Sequence, residues 1–245
     1  MKTIIFVALA MFFFQCGMAQ NKPSDYVSFS VGATIPTGSF AVADAGTFGN
    51  YNNTSGFAKT GLTFGLEGAH YIFSRWSIKG SLYFSEHGGI NSKDVVNIAQ
   101  SYQDAFGVDQ AAVSTTNTYK SINLMVGPSY SLPLGKLTID AWAMGGIIKS
   151  MSTPEINVVL TDDDKDYPFT QKSSTASAFG WQVGAGARYP LNDKLSLLLK
   201  GDYFSSNGIS VSNENRNNSA GRLVTNQSVN WVNVTFGVAV SLGKK

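Results

Sequence analysis

Three groups of residues in this chain have types and spacings that could do chemistry. The run FSEHGG places Ser85, Glu86 and His87 side by side. Serine, histidine and a carboxylate are the parts of acyl-transfer hydrolysis, in which the imidazole takes the hydroxyl proton and the acid orients the imidazole. Adjacency works against that use. Successive side chains on a strand point to opposite faces, so three in a row cannot converge. The run reads as a polar loop start, and no catalytic residue is expected. The other histidine, His70, falls on the outward face of a segment close to a turn and reads as an interfacial residue. The second group is TDDDKD, residues 161–166. Its acids suggest calcium, but an EF-hand loop from Asp162 needs glycine at its sixth position and glutamate at its twelfth. Those positions hold Tyr167 and Ser173. A solvated acidic loop tip is the better reading. No metal, phosphate-binding glycine loop or cofactor is expected. The third group is Glu67, Lys79, Asp140, Arg188, Lys200 and Asp202, each set in a segment that is otherwise apolar. Burying such charges in a protein core is costly.

The elements that carry the six charges explain them. Residues 26–36 put Val27, Phe29, Val31, Ala33 and Ile35 on one face, and Ser28, Ser30, Gly32 and Thr34 on the other. Period two is the signature of a strand. The pattern recurs over 62–72, 76–84, 121–132, 137–147, 179–189, 195–203 and 232–242, which makes eight strands. Most reach the ~9–11 residues that a tilted membrane-crossing strand needs. Their connections alternate between three tight turns and four long polar loops, over 37–58, 86–118, 150–176 and 205–228. Short turns on one side and long loops on the other are the asymmetry of outer-membrane barrels. A soluble sandwich would hide its apolar faces in a core. Here it is the opposite face that carries six mid-strand charges. Rings gather at the strand ends: Tyr71, Phe73, Trp76, Tyr130 and Tyr189 near the short turns, and Phe84, Phe179, Trp181, Tyr203 and Phe204 toward the long loops. Two such girdles belong where strands cross lipid interfaces. The predicted fold is all-β, an eight-stranded antiparallel up-and-down transmembrane barrel.

In a barrel of this size the interior is just wide enough for side chains to fill it. The six charges then point inward and, as three acids and three bases, cancel. Glu67 can pair with Lys79 across the first tight hairpin. Asp140 and Arg188 lie at similar depth, and Lys200 and Asp202 share a face two residues apart. The expected inside is a polar plug. Residues 92–106 space Val95, Ile98, Ala99, Tyr102 and Phe106 at helical intervals behind Ser92 as a cap. An amphipathic helix over the barrel mouth and an irregular loop both fit them.

The first residues read as an export signal: Lys2, an apolar run over 4–14, then Gly17, Met18 and Ala19. That run is too short to span a membrane as a helix. Gln15 before Cys16 makes a poor lipoprotein box, so the expected organisation is a signal peptide over 1–19 and a barrel over 20–245. Cleavage removes the only cysteine, and with it any disulfide or thiol nucleophile. The 18 basic and 16 acidic residues nearly balance and form no basic run, which argues against nucleic acid.

Two short motifs carry a resemblance. The stretch VGATIPTGSFA, with Gly32, Pro36, Gly38 and Phe40, resembles the corner by which many small Gram-negative outer-membrane β-barrel proteins of the OmpA- and OmpX-like kind leave their first strand. The C-terminal TFGVAVSL, with Thr235, Gly237, Val240 and Leu242, resembles the assembly signal of such proteins, although Gly243, Lys244 and Lys245 follow where many members end on an aromatic. The resemblance implies an outer-membrane location, contact with lipid and lipopolysaccharide, and recognition by the barrel-assembly machinery. It leaves three roles open: a non-enzymatic barrel whose loops bind a partner or support the envelope, a narrow small-solute (porin-like) channel, and a lipid A-modifying enzyme.

Overall fold

The computed structural model describes residues 23–44, 55–211 and 226–243. The signal segment, Cys16 and the expected cleavage site lie outside the described residues. In chain order the elements are β1 (Tyr26–Pro36), α1 (Gly38–Ala41), β2 (Gly61–Tyr71), β3 (Trp76–His87), α2 (Ser92–Phe106), β4 (Gln110–Thr116), β5 (Tyr119–Leu134), β6 (Leu137–Ser152), β7 (Glu155–Asp162), β8 (Lys165–Gln171), β9 (Ser177–Pro190), β10 (Leu195–Ser210) and β11 (Asn226–Ser241).

Eight of these strands close into an antiparallel barrel in the order β1-β11-β10-β9-β6-β5-β3-β2. Closure runs from Tyr26↔Ser241 through Val31↔Phe236 to Pro36↔Trp231. The alternation read from the sequence now has a physical sense. Leu66 and Leu124 are 56% and 60% exposed, while Glu67 and Lys79 are 5% and 1% exposed. Water would oppose that distribution, and a hydrocarbon surrounding favours it. Short turns follow β2, β5 and β9. The β5–β6 turn uses Gly135 at φ +64°, where a left-handed residue is needed.

Two features depart from the sequence reading. Loops 86–118 and 150–176 are not simply polar: β4, β7 and β8 form a separate three-stranded sheet, in the order β4-β7-β8. The β7–β8 hairpin turns on Asp163 and Asp164, both at positive φ, the backbone of a type I′ turn. The helix α2 is formed and packs on this sheet. Ile98 and Tyr102 meet Ile156, Val158 and Leu160, with Phe57 from the first long loop. Its cap is Asn91, whose side chain accepts from the Asp94 amide, rather than Ser92. Two assigned girdle residues also turn inward. Tyr71 shares the parity of Glu67, and Phe204 that of Lys200 and Asp202, so both rings are fully buried in the lumen.

Candidate functional site

The lumen is filled in three layers, and the strand register decides which side chain reaches which layer. Nearest the short turns, the Arg188 guanidinium lies against Asp140, Nε to Oδ2 and Nη2 to Oδ1 each at 3.3 Å. Nη2 also donates to the Tyr71 hydroxyl at 2.8 Å, and the guanidinium sits 4.4 Å from the centre of the Tyr26 ring. Ser131 donates to Asp140 and meets the Tyr71 hydroxyl at 2.6 Å. Asp140 and Arg188 come from adjacent strands, with Asp140 paired to Gly186, so the two meet on a diagonal.

The middle layer is built around Glu67. Its Oε1 lies 3.3 Å from the Lys79 ammonium, and its Oε2 accepts from Lys200. The Tyr83 hydroxyl donates to Oε1 at 2.9 Å. Lys200 also donates to Ser30 and to the Tyr83 oxygen, at 3.1 and 3.0 Å. Lys79 stands 3.3 Å above the centre of the Trp142 indole, a close cation–π contact. Lys200 and Asp202, which the sequence set two residues apart on one face, both meet the Tyr83 hydroxyl but form no ion pair with each other among the described residues. Asp202 instead accepts from the Trp142 indole N–H at 2.8 Å and from Gln182 at 2.6 Å. Each layer carries equal numbers of acids and bases.

The layer under the long loops is aromatic. Phe204 stacks on Trp231 at 5.0 Å, with His87 against the edge of Trp231 at 4.9 Å. Phe40 covers them, 5.2 Å from His87 and 4.8 Å from Tyr119. Phe40 arrives there because the corner of Pro36 and Gly38 (φ +58°) turns the chain in over the barrel, and the Ala58 amide bonds back to the Phe40 carbonyl at 3.0 Å. The interior is therefore charged below and, at the mouth, lined by rings among buried polar groups such as Ser121, Ser150 and Gln227, so the polar plug expected from the sequence carries an aromatic lid.

Trp142, Gln182 and Tyr83 were not singled out as site residues by the sequence. A signal for them was present. Trp142 falls on the polar parity of β6, and the facing strand β9 offers Gly184 and Gly186, where an added Cβ would meet the indole at 2.6 and 3.3 Å. A large ring and a row of small neighbours fill the same space. The residues of the assembly motif lie along the closing strand. Thr235 is buried in the lumen, and Val240 and Leu242 face outward. A Cβ on Gly237 would stand 2.1 Å from the Phe29 carbonyl.

The remaining candidates separate. Ser85 and His87 face inward; Glu86 faces out, accepting from Thr118 and lying 3.8 Å from Lys120. Ser85 meets Thr63 at 3.0 Å and His87 meets Thr34 at 3.3 Å. His87 is the buried last residue of β3 rather than a polar loop start, because it has the parity of Lys79. His70 is outward and exposed, 2.6 Å from Asp25. Asp109, Asp162 and Asp163 bring carboxylates within 4.8 Å of one another at the exposed tip of the β7–β8 hairpin.

The family described as outer membrane protein beta-barrel domain has a model that matches residues 4–240. Comparison with curated proteins gives no match. Among solved structures, the chain is similar to Neisserial surface protein A at 10% identity and a TM-score of 0.45, over 91% of this chain and 100% of that one. It is similar to Ail, the attachment invasion locus protein of Yersinia pestis, at 10% identity and 0.40, over 90% and 99%. It is also similar to the outer membrane protease OmpT from Escherichia coli, at 10% identity and 0.40, over 92% and 99%. At these values no role carries across from any of them.

Proposed function

Because the chain belongs to the outer membrane β-barrel family, we propose that it is a non-enzymatic anchor that works through a folded extracellular cap, with a lumen that does not conduct. The observation that carries this reading is the cap. Its helix and sheet enclose an apolar core of their own, Ile98, Tyr102, Ile156, Val158 and Leu160. A chain needed only to span a membrane has no use for such a core. Long loops of outer-membrane barrels face the exterior, so the cap is the part a partner or a surface meets. It is tied to the barrel: Lys59 bonds Asp94 of α2 at 3.0 Å, and the Tyr119 hydroxyl donates to the Gly56 carbonyl. The exposed side of β4 carries neutral groups, Gln110, Ala112, Ser114 and Thr116.

Two further observations support the reading. Among the described residues, Glu67 and its two lysines stand across the middle of the barrel and Phe40 packs with Trp231's neighbours at its mouth, an arrangement that supports a closed lumen. Ser85 contacts the Thr63 hydroxyl and the Asn123 amide, and His87 contacts Thr34, so the nucleophile and base of acyl transfer are not in contact. Single-channel recording of the purified protein in planar bilayers is the test. Silent bilayers are expected. A stable ohmic current would replace this reading with the small-solute channel.

A further inference from the structure

The lipid-facing wall has a hollow that the barrel's own packing does not call for. Gly68 of β2 and Gly80 of β3 are register partners on neighbouring strands, and both face outward. The same row continues into Val27 on one side and Val126 on the other. The row above it is bulky: Leu66 pairs with Leu82, and Leu82 with Leu124. Two missing side chains between these rows leave a groove of about 540 Å³, within the ~300–1,000 Å³ of ligand-sized clefts.

Glycine inside a strand weakens it, and it often marks a place where something else approaches closely. Elsewhere among the strand glycines of this barrel the approaching group is the neighbouring backbone, as at Gly237, or a side chain, as at Gly184, and Gly201 alone stands as open. At Gly68 and Gly80 neither comes close. An added Cβ would meet nothing nearer than 3.7 Å and 3.9 Å, ordinary contact distances. Side chains would fit there, and the groove is the result of their absence.

Toward the turn, one outward position further along β3, the wall becomes more polar. Below the glycine row, His70 pairs with Ile78, and Ile78 with Pro128. A second hollow of about 680 Å³ lies there, against Phe73, Trp76, Ile78 and Pro128. It opens at the β2–β3 turn, which is the periplasmic rim. The His70–Asp25 pair stands on one flank. On the other, the Arg75 guanidinium donates to the Tyr130 hydroxyl at 3.3 Å, and Trp76 packs edge-on against Tyr130 at 5.1 Å. An apolar lane that ends at interface depth beside a guanidinium matches a tail and a phosphate.

We propose that this groove holds one phospholipid of the periplasmic leaflet, an acyl chain lying over Gly68 and Gly80 and the phosphate meeting Arg75. The test uses the full chain extracted from outer membranes in mild detergent, weighed by native mass spectrometry, with bound lipid identified by extraction and fragmentation. Wild type is expected to retain one phospholipid. Gly68→Leu with Gly80→Leu should retain roughly ten-fold less, because leucines there overlap the chain, while heat-modifiable migration on gels stays normal. Arg75→Ala, on an exposed turn, should lose lipid in the same direction and covers the case in which the leucine variant fails to fold. No retained lipid in wild type, or equal retention in wild type and the folded variants, overturns the proposal. So does lipid A in place of phospholipid, or a wild-type dimer that the leucines dissociate, which would give the groove to a second copy.

Discussion

The pair nearest the short turns gives the sharpest test of how the lumen is held together. Replacing Arg188 with leucine removes two guanidinium contacts to Asp140 and one to Tyr71, and leaves the aspartate buried with Ser131 as its remaining donor. The two side chains are 10% and 5% exposed, so solvent relieves little of that charge. Breaking a buried pair from one side costs about 3–5 kcal/mol, and the surviving Ser131 bond places Arg188→Leu near the lower end, about 3 kcal/mol. Asp140→Leu strands the guanidinium, though Tyr71 and the Tyr26 ring still face it, so its loss should be somewhat smaller. The double leucine variant leaves no buried charge in this layer, and the Tyr71 hydroxyl keeps its bond to Ser131. It should therefore recover most of the larger single loss. Urea unfolding of all four proteins in lipid vesicles, read as a cycle, measures the coupling. Contacts this close usually couple by about 0.5–3 kcal/mol. If the two single losses add in the double variant, Asp140 and Arg188 do not act as a pair and the layered account of the lumen fails.

Other outcomes follow from the same geometry. Gly127→Ala should destabilise the barrel by about 1–3 kcal/mol, since its Cβ would stand 2.2 Å from the Ala143 carbonyl, whereas Gly201→Ala, with nothing within 4 Å, should be neutral or gain about 0.5–1 kcal/mol in the same unfolding assay. Phe40→Ala should cost about 3–5 kcal/mol and still give silent bilayers, because the Glu67 layer lies beneath it; a new current would show that the aromatic layer alone is the seal. Intact mass of the mature protein should fit an N-terminus at Gln20, and a diacylglyceryl-cysteine mass at Cys16 would refute the plain export signal.

The barrel was legible because lipid and lumen impose opposite demands on alternate residues, and that alternation survives in every barrel strand. Eight segments and their parity could be read without knowing any contact. Two of the pairings, Glu67 with Lys79 and Asp140 with Arg188, could be read as well; the third could not. Lys200 and Asp202 lie on one face, but which acid a lysine reaches depends on barrel diameter and stagger, and these set Glu67 rather than Asp202 in front of it. Tyr71 and Phe204 show a related limit. An aromatic near a strand end suggests an interface, and only strict parity tells that the ring turns inward. The sheet of the cap was missed for another reason. Over 110–116 the chain alternates small groups such as Ala111 and Ser114, too weakly apolar to stand out. The sheet they join is completed by β7 and β8, from a different loop.

The bonds of the lumen span great lengths of chain. Glu67 and Lys200 are 133 residues apart, Tyr71 and Arg188 are 117, and Ser30 and Lys200 are 170. None of them can form until the first strand has met the last. Before that moment Lys200 lacks its carboxylate partner, and an open, half-wound sheet in lipid would leave it stranded. The hairpins form from local contacts, but closing β1 onto β11 is a non-local step of the kind that slows folding. The interior thereby works as a checkpoint on assembly: Glu67–Lys79 and Asp140–Arg188, on neighbouring strands, can pair early, whereas Lys200 reaches Glu67 only at closure.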